Sequence, residues 1–94
     1  MWTETDNALC RSFQFDDFKA AWTFLNAVAA EAERLDHHPW LSNEYGRVEF
    51  RLCTHDQGNA VTKRDHELAA AIDAAYAAQA ADLTPWPSLF WRGG

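Results

Sequence analysis

The spacing of apolar residues predicts a long helix in the first half of the chain. Asp16 is a favourable N-cap residue for it. After Asp16, apolar side chains recur at steps of three and four: Phe18, Ala21, Trp22, Leu25, Val28, Ala29, Ala32 and Leu35. That period is typical of an amphipathic helix of about five turns. Pro39 limits the helix, because the residue before a proline avoids helical angles, so His37 and His38 should follow its end.

A second helix is predicted to begin near Thr62. The spacing Thr62-x-x-Asp65 imitates a capping box, in which two side chains bond the free N–H groups of the first turn. The predicted apolar stripe of this helix has four members: Leu68, Ile72, Ala75 and Tyr76. Nine of the thirteen residues from 69 to 81 are alanine, and such small side chains let another helix approach closely.

Alternating apolar and polar residues predict four strands outside the helices. The clearest is the segment 47–54, with apolar residues at every second position: Val48, Phe50 and Leu52. The segment 40–45 is its predicted partner, with Gly46 at the turn between them. Segments 2–5 and 8–15 are predicted to form a first hairpin.

The predicted order is strand, strand, helix, strand, strand, helix. Two hairpins separated by a helix favour an α+β fold, a four-stranded antiparallel sheet with both helices on one face. A chain of 94 residues has room for one domain. We assign residues 1–82 to that domain. Residues 83–94 form an aromatic, proline-containing tail that we expect to dock on the domain or on a partner.

Charge and composition exclude several classes of function. A net charge of −6 argues against binding nucleic acid or an anionic membrane, because both attract an excess of Lys and Arg. No apolar run approaches the roughly 20 residues of a membrane span, and the polar start of the chain is unlike a signal peptide. Cys10 and Cys53 lack the spacing of a metal site or redox motif. We therefore expect reduced thiols in a cytoplasmic protein.

Candidate chemistry is concentrated between residues 33 and 65, where three of the four histidines lie. Imidazole exchanges protons near neutral pH, so the cluster indicates proton transfer. Its histidines are His37, His38 and His55, and its carboxylates are Glu33, Asp56 and Asp65. Each residue alone also fits a structural role, such as a helix cap or a solvated face. No metal is expected, because adjacent histidines in extended backbone point to opposite faces and the cysteines add no ligands at suitable spacing.

As a set, these residues resemble the pterin-4a-carbinolamine dehydratase family. The matching positions are Glu33, His37, His38, Pro39, Asn43, Tyr45, Val48, Thr54, His55, Asp56, Gly58 and Asp65. The upstream segment 13–18, Phe-Gln-Phe-Asp-Asp-Phe, also looks like the family's entry to its first long helix. The resemblance covers roughly residues 2–75. It implies the α+β fold described above, usually as a homodimer or homotetramer.

The resemblance also implies an activity, the dehydration of 4a-hydroxytetrahydropterin to the quinonoid dihydropterin, without metal or organic cofactor. Loss of the 4a-hydroxyl as water needs an acid, and loss of a ring-nitrogen proton needs a base. By resemblance, His37 and His55 transfer most of the protons, and His38 completes the catalytic group by orienting the pterin. The remaining members would bind substrate and set the local charge: Glu33, Asp56 and Asp65.

Two positions beside the cluster differ from the family pattern. Trp40 and Leu41 stand where the family usually has Glu-Trp, and one extra residue separates His55 from Asp65. These differences leave a second interpretation open, a non-catalytic dehydratase-like protein that assists assembly of Rubisco in association with carboxysomes. A transcription-factor dimerisation cofactor, as in animal relatives, is a third.

Overall fold

The computed structural model describes residues 1–82, so the predicted tail at 83–94 lies outside the described residues. The elements follow the predicted order: β1 (Thr3–Thr5), β2 (Ala8–Gln14), α1 (Phe18–Leu35), β3 (Trp40–Glu44), β4 (Arg47–Leu52) and α2 (Lys63–Asp82). A single 3-10 turn at His55–Gln57 separates β4 from α2. The strands form one antiparallel sheet in the order β1-β2-β4-β3. The predicted α+β architecture is therefore confirmed.

The core lies between the sheet and the two helices. The two hairpins join along β2 and β4, where Phe13 pairs with Val48 and Leu9 with Leu52. These inward positions are buried against residues of both helices, among them Phe24 of α1 and Leu68 of α2. Aromatic rings fill the centre, with the Phe13 ring 5.0 Å from Phe24 and 4.9 Å from Tyr76 between centroids. Such pairs add stabilisation beyond the burial of apolar area.

The start of α1 corrects two details of the prediction. The N-cap is Asp17 rather than Asp16, because the Asp17 carboxylate accepts a 2.8 Å hydrogen bond from the N–H of Ala20. Three predicted apolar positions are exposed: Phe18, Trp22 and Ala29. Trp22 nevertheless has a structural role, since its Nε1–H donates to Asn43 on β3 at 2.9 Å.

The end of α1 turns the chain toward the sheet. The helix stops at Leu35, and Asp36 adopts left-handed angles of φ 51° and ψ 45°. The N–H of Asp36 then bonds the carbonyl of Glu33, and the N–H of His37 bonds that of Ala32 at 3.1 Å. These backbone bonds satisfy the last carbonyls of the helix. His37 and His38 follow the helix end, as predicted.

The helices run antiparallel over one face of the sheet. The side-chain amide of Gln79 near the end of α2 donates to the carbonyl of Ala20 near the start of α1 at 2.9 Å. On the other side of α2, Asp73 accepts hydrogen bonds from Trp2 and Arg11 at 2.8 and 2.7 Å. Within the described residues, no helix is long and apolar enough to cross a membrane.

Candidate active site

The end of α1 and the start of α2 bring His37 and Asp65 into contact. The two residues are 28 positions apart, and His37 Nε2 lies 2.6 Å from Asp65 Oδ1. Both side chains are buried, with 8% of His37 and none of Asp65 exposed. A buried charged group is tolerated only when it is well hydrogen-bonded, so the surroundings of Asp65 decide what this pair can do.

Asp65 has a full set of hydrogen-bond donors. Its Oδ2 accepts from the Thr54 hydroxyl and from the N–H of Thr62, each at 2.8 Å. Burial by itself raises the pKa of Asp65, but hydrogen bonds from His37, Thr62 and Thr54, together with the charge that His37 can carry, outweigh it. The pKa of Asp65 therefore lies below its ordinary value, and the group is ionised at neutral pH.

The ionised Asp65 orients the ring of His37. An ionised carboxylate only accepts hydrogen bonds, so the ring nitrogen that faces it, Nε2, carries the proton. The contact with Asp65 leaves Nδ1 as the other ring nitrogen of His37. Asp65, which has no exposed surface, acts on the site through His37.

His38 pairs with the predicted Glu33 at the surface. Its Nε2 lies 2.6 Å from Glu33 Oε2, with 58% and 79% of the two side chains exposed. An exposed pair of this kind contributes little to stability, typically about 0–1 kcal/mol. Its effect is to hold the His38 ring in one orientation beside the end of α1.

His55 lies on the 3-10 turn that follows β4. Its Nδ1 is 2.6 Å from the side-chain oxygen of Asn59. The turn is closed by Gly58 and Asn59, both with left-handed backbone angles, and by a 2.9 Å bond from the N–H of Thr54 to the carbonyl of Ala60. The contact with Asn59 occupies Nδ1, so Nε2 of His55 is the nitrogen available to a ligand.

All three predicted histidines line one open depression of about 280 Å³. Asp56 lies on its rim, with its carboxylate exposed and 3.7 Å from the guanidinium of Arg64. The structure thus brings four of the six predicted site residues to one surface: His37, His38, His55 and Asp56. The other two contact these histidines: the buried Asp65 bonds His37, and the exposed Glu33 pairs with His38.

An adjoining depression of about 420 Å³ extends the site along the outer face of the sheet. It shares His38 and His55 with the first depression and adds Trp40 and Arg51. These two residues face each other across β3 and β4 in the strand register. The combined surface offers proton donors and acceptors at one end and an aromatic ring beside a guanidinium at the other.

Sequence reasoning gave no role to three residues at the site. Thr54 was noted only as part of a motif, yet its hydroxyl bonds Asp65. Arg51 lies opposite Trp40 in the pairing of β3 with β4, so the predicted hairpin of these two strands could have indicated it. Arg64, whose guanidinium donates to the carbonyl of Asp36 at 2.8 Å, left no signal in the sequence. Among the described residues, no group of three or more His, Cys, Asp or Glu side chains could hold a metal ion.

The fold and the site define a class of protein, a small α+β domain whose paired strands and helix ends present several imidazoles to an open depression. A family model described as Pterin 4 alpha carbinolamine dehydratase matches residues 1–75 of the chain. The chain belongs to this family.

Curated relatives agree with that membership. A protein of Rhodospirillum rubrum is 50% identical over 74 residues, which cover 77% of this chain and 76% of the relative. A protein of Rhodopseudomonas palustris is 49% identical over 75 residues, covering 78% and 73% of the two chains. Both relatives carry the provisional name pterin-4-alpha-carbinolamine dehydratase.

Two solved structures share the fold. A transcriptional coactivator/pterin dehydratase from Brucella melitensis is 42% identical, with a TM-score of 0.75 over 79% of this chain and 80% of that one. A pterin dehydratase-like protein identified as a RuBisCO assembly factor in the alpha-carboxysome is 22% identical, with a TM-score of 0.65 over 80% and 86% of the chains. At that identity, the second likeness shows the fold alone.

Proposed function

We propose that this chain is a 4a-hydroxytetrahydrobiopterin dehydratase, a lyase that converts 4a-hydroxytetrahydropterin to the quinonoid dihydropterin. The observation that carries the proposal is the convergence of His37, His38 and His55 on one depression. Family membership and the provisional names of the relatives support it. No metal or organic cofactor takes part in the proposed reaction.

The reaction is a proton-balanced elimination. The bond between C4a and the hydroxyl oxygen breaks, and the hydroxyl leaves as water after it has gained a proton from an acid. A ring nitrogen loses a proton to a base, and its electron pair forms the new double bond. No oxidation or reduction occurs. Both steps need groups with a pKa near the working pH, which imidazole supplies.

His37 is the better candidate for the base. The ionised Asp65 beside Nε2 stabilises the positive charge that arises when Nδ1 of His37 accepts a proton. His55, more exposed and in contact with Asn59 through Nδ1, is the candidate acid that protonates the leaving hydroxyl from Nε2. For this step His55 starts with both ring nitrogens protonated, because the hydrogen on Nδ1 is donated to Asn59. Between turnovers, solvent returns a proton to Nε2 of His55 and removes one from Nδ1 of His37.

Substrate binding is assigned to the remaining groups around the two depressions. His38, oriented by Glu33, lines both depressions and contacts the pterin between acid and base. Asp56 at the rim accepts hydrogen bonds from the substrate. Trp40 offers a face for the flat pterin ring.

Absorbance measurements test the dehydratase directly. Freshly generated 4a-hydroxytetrahydropterin is mixed with wild-type protein and with the variants His37→Ala and His55→Ala. Removal of a general acid or base should lower kcat by about 10²–10⁴-fold. His66→Ala, an exposed histidine in the first turn of α2 outside both depressions, is the matched control and should remain active. Wild-type protein that fails to exceed the uncatalysed rate would refute the enzyme, and variants as active as the wild type would refute the residue roles.

The family resemblance also supports self-association, and we expect a homodimer or homotetramer. A domain of this size buries a modest fraction of its surface when it folds alone, so association adds stability. Light scattering on the purified protein measures the mass. A single species at the monomer mass of 10.7 kDa would refute this expectation.

A role in Rubisco assembly without catalysis is the second candidate. The specific observation in its favour is Trp40, which replaces the usual acidic residue and is 55% exposed beside the proposed site. An exposed Trp is a common anchor of protein interfaces. This candidate would be favoured if the wild-type protein has no dehydratase activity but retains purified Rubisco, and if the Trp40→Ala variant does not retain it. An active dehydratase that does not retain Rubisco would exclude it.

A further inference from the structure

Arg51 differs from the other arginines that the structure describes. Each of those forms an ion pair with a carboxylate: Arg11, Arg34, Arg47 and Arg64. Among residues 1–82, Arg51 has no such partner, and its guanidinium donates to the thiol sulfur of Cys10 at 3.5 Å. Sulfur is a weak acceptor. In a chain with a net charge of −6, this exposed guanidinium is therefore open to an anion from outside.

The register of the sheet places Arg51 in the middle of a row that crosses three strands. Arg51 on β4 lies opposite Cys10 on β2 and opposite Trp40 on β3. Residues directly opposite each other in an antiparallel sheet have Cβ atoms about 4.5–5.5 Å apart, so the row forms one surface. It lies on the face of the sheet away from the helices, because the alternate residues Phe50 and Leu52 are buried in the core.

The residue at position 40 explains why Arg51 has no ion pair on the sheet. The family pattern usually has an acidic residue at this position, directly across from Arg51 in the strand register. Opposite charges at such a cross-strand position stabilise each other. Trp40 supplies no carboxylate, so the charge of Arg51 is left for a ligand.

Two depressions of the outer face meet at Trp40 and Arg51. One is the depression of about 420 Å³ that also contains His38 and His55. The other, of about 450 Å³, continues along the outer face as far as Ser12 on β2. A ligand whose reacting ring lies beside the histidines therefore has room for a long substituent that passes Arg51.

The carboxylates that line these two depressions leave the charge of Arg51 uncompensated. Glu49 is 2.5 Å from the guanidinium of Arg47, which balances its charge. Asp6 lies in the turn between β1 and β2 and lines the depression with the histidines, not the one beyond Arg51. The positive charge of Arg51 therefore stands where the substituent of a bound ring would pass.

A guanidinium with free N–H groups has a preferred class of ligand. Its planar fork binds a phosphate or a carboxylate through two parallel hydrogen bonds. The side chain of tetrahydrobiopterin is a neutral dihydroxypropyl group and offers no such anion. A pterin whose side chain at C6 ends in a phosphate or a carboxylate does offer one.

We propose that the preferred pterin of this chain has an anionic side chain, with a phosphate or a carboxylate that Arg51 binds. This rests on the proposed function, which places the pterin ring beside the histidines. Arg51 then determines specificity, because it selects among pterins by the charge of the side chain at C6. It takes no part in the proton transfers at C4a.

Isothermal titration calorimetry on the full chain tests this assignment with three dihydropterins that differ at C6. Dihydrobiopterin has a neutral side chain, dihydroneopterin phosphate has a phosphate, and dihydrofolate has carboxylates. An anionic ligand should bind the wild type about tenfold more tightly than dihydrobiopterin, as expected for hydrogen bonds to a charged group. A preference for one anionic ligand over the other identifies whether phosphate or carboxylate is the group that Arg51 binds.

Variants of exposed cations separate the role of Arg51 from a general effect of charge. Arg51→Gln should lower the preference for the anionic ligand over dihydrobiopterin about tenfold. Arg51→Lys keeps the charge but not the planar fork, so it should retain part of the preference. Lys63→Gln removes one positive charge from an exposed residue outside these depressions and is the matched control. It should leave the preference as it is in the wild type.

The outcomes distinguish this assignment from the dehydratase itself. If dihydrobiopterin binds the wild type as tightly as both anionic ligands, the role of Arg51 is overturned and the dehydratase stands. A preference that persists in Arg51→Gln, or that is lost equally in Lys63→Gln, also overturns it. If none of the three ligands binds the wild type, pterin binding is refuted, and the proposed function fails together with the role of Arg51.

Discussion

The 2.6 Å contact between His37 Nε2 and Asp65 Oδ1 links the stability of the domain to the chemistry of the site. The same carboxylate accepts from the N–H of Thr62 at the start of α2 and from the hydroxyl of Thr54 after β4. One buried group therefore joins three segments that are distant in sequence. Loss of Asp65 should disturb the fold and His37 together.

Asp65→Asn should make the stability of the domain less dependent on pH. The pKa of Asp65 is lower in the folded than in the unfolded chain, so its ionised form stabilises the fold. That stabilisation is fully present above the unfolded pKa of about 3.9 and is lost as the pH falls toward the folded value. The free energy of unfolding of the wild type should therefore exceed that of the variant by about 1–3 kcal/mol at pH 7. This difference in the free energy of unfolding should be smaller at pH 3.

Urea unfolding at the two pH values measures this difference. Asp56→Asn is the matched control, since its carboxylate is exposed, and it should change the free energy of unfolding by less than about 0.5 kcal/mol at either pH. A gap between wild type and Asp65→Asn that stays constant from pH 7 to pH 3 would contradict a stabilising ionised Asp65.

At the scale of single residues, the sequence selected candidate side chains for a site but did not predict the contacts between them. The motif pointed to His37 and Asp65, and the structure places them in contact. Their contact depends on the left-handed turn at Asp36, which no local propensity required. The spacing Thr62-x-x-Asp65 predicts a capping role for Asp65, which its bond from the N–H of Thr62 matches, and the resemblance implies a role in substrate binding. Its hydrogen bonds to His37 and Thr54 are long-range, so periodicity and spacing could not reveal them.

At the scale of elements, helix α1 shows where hydrophobic spacing is informative and where it misleads. The period located the helix correctly, but it included Phe18 and Trp22, which are exposed, and omitted Phe24, which is fully buried. A helical pattern identifies a face without saying how far the neighbouring elements cover it. Here the first turns of α1 contact the edge strand β3 through the bond from Trp22 to Asn43, and the side chains of Phe18 and Trp22 remain exposed.

The N-terminus of α1 allows a sharp test of the helix boundary. Asp17→Ala removes the hydrogen bond from the N–H of Ala20 and should lower the free energy of unfolding by about 1 kcal/mol. Asp16→Ala, one position earlier, is the matched control and should change it by less than about 0.5 kcal/mol. Chemical denaturation measures both. A larger loss for Asp16→Ala would place the helix start one residue earlier, as the sequence had predicted.

At the scale of the whole molecule, the sheet order explains why the site forms where it does. The sequence predicted two hairpins, but not that they would join through β2 and β4. That pairing places β3 at an edge and directs the end of β4 toward the gap between the end of α1 and the start of α2. Strand order follows from long-range packing of the hairpins under the helices, which alternation within each strand does not encode.

The aromatic centre of the core should carry a large share of the stability of this small domain. Phe24 is fully buried between sheet and helices, with its ring 5.0 Å from Phe13 and 5.9 Å from Tyr76. Phe24→Ala should therefore lower the free energy of unfolding by about 3–5 kcal/mol, through lost burial and the cavity left behind. A whole domain is stable by only about 5–15 kcal/mol, so this variant should be close to unfolding at 25 °C.

Phe18→Ala makes the same chemical change on the same helix at an exposed position. Because half of the Phe18 side chain is already in contact with solvent, Phe18→Ala should lower the free energy of unfolding by no more than about 1 kcal/mol. Urea titrations followed by tryptophan fluorescence give both values under one condition. If the two variants lose equal stability, the helices do not bury the face of α1 that the structure assigns to the core. The antiparallel packing that positions His37 against Asp65 would then also be wrong.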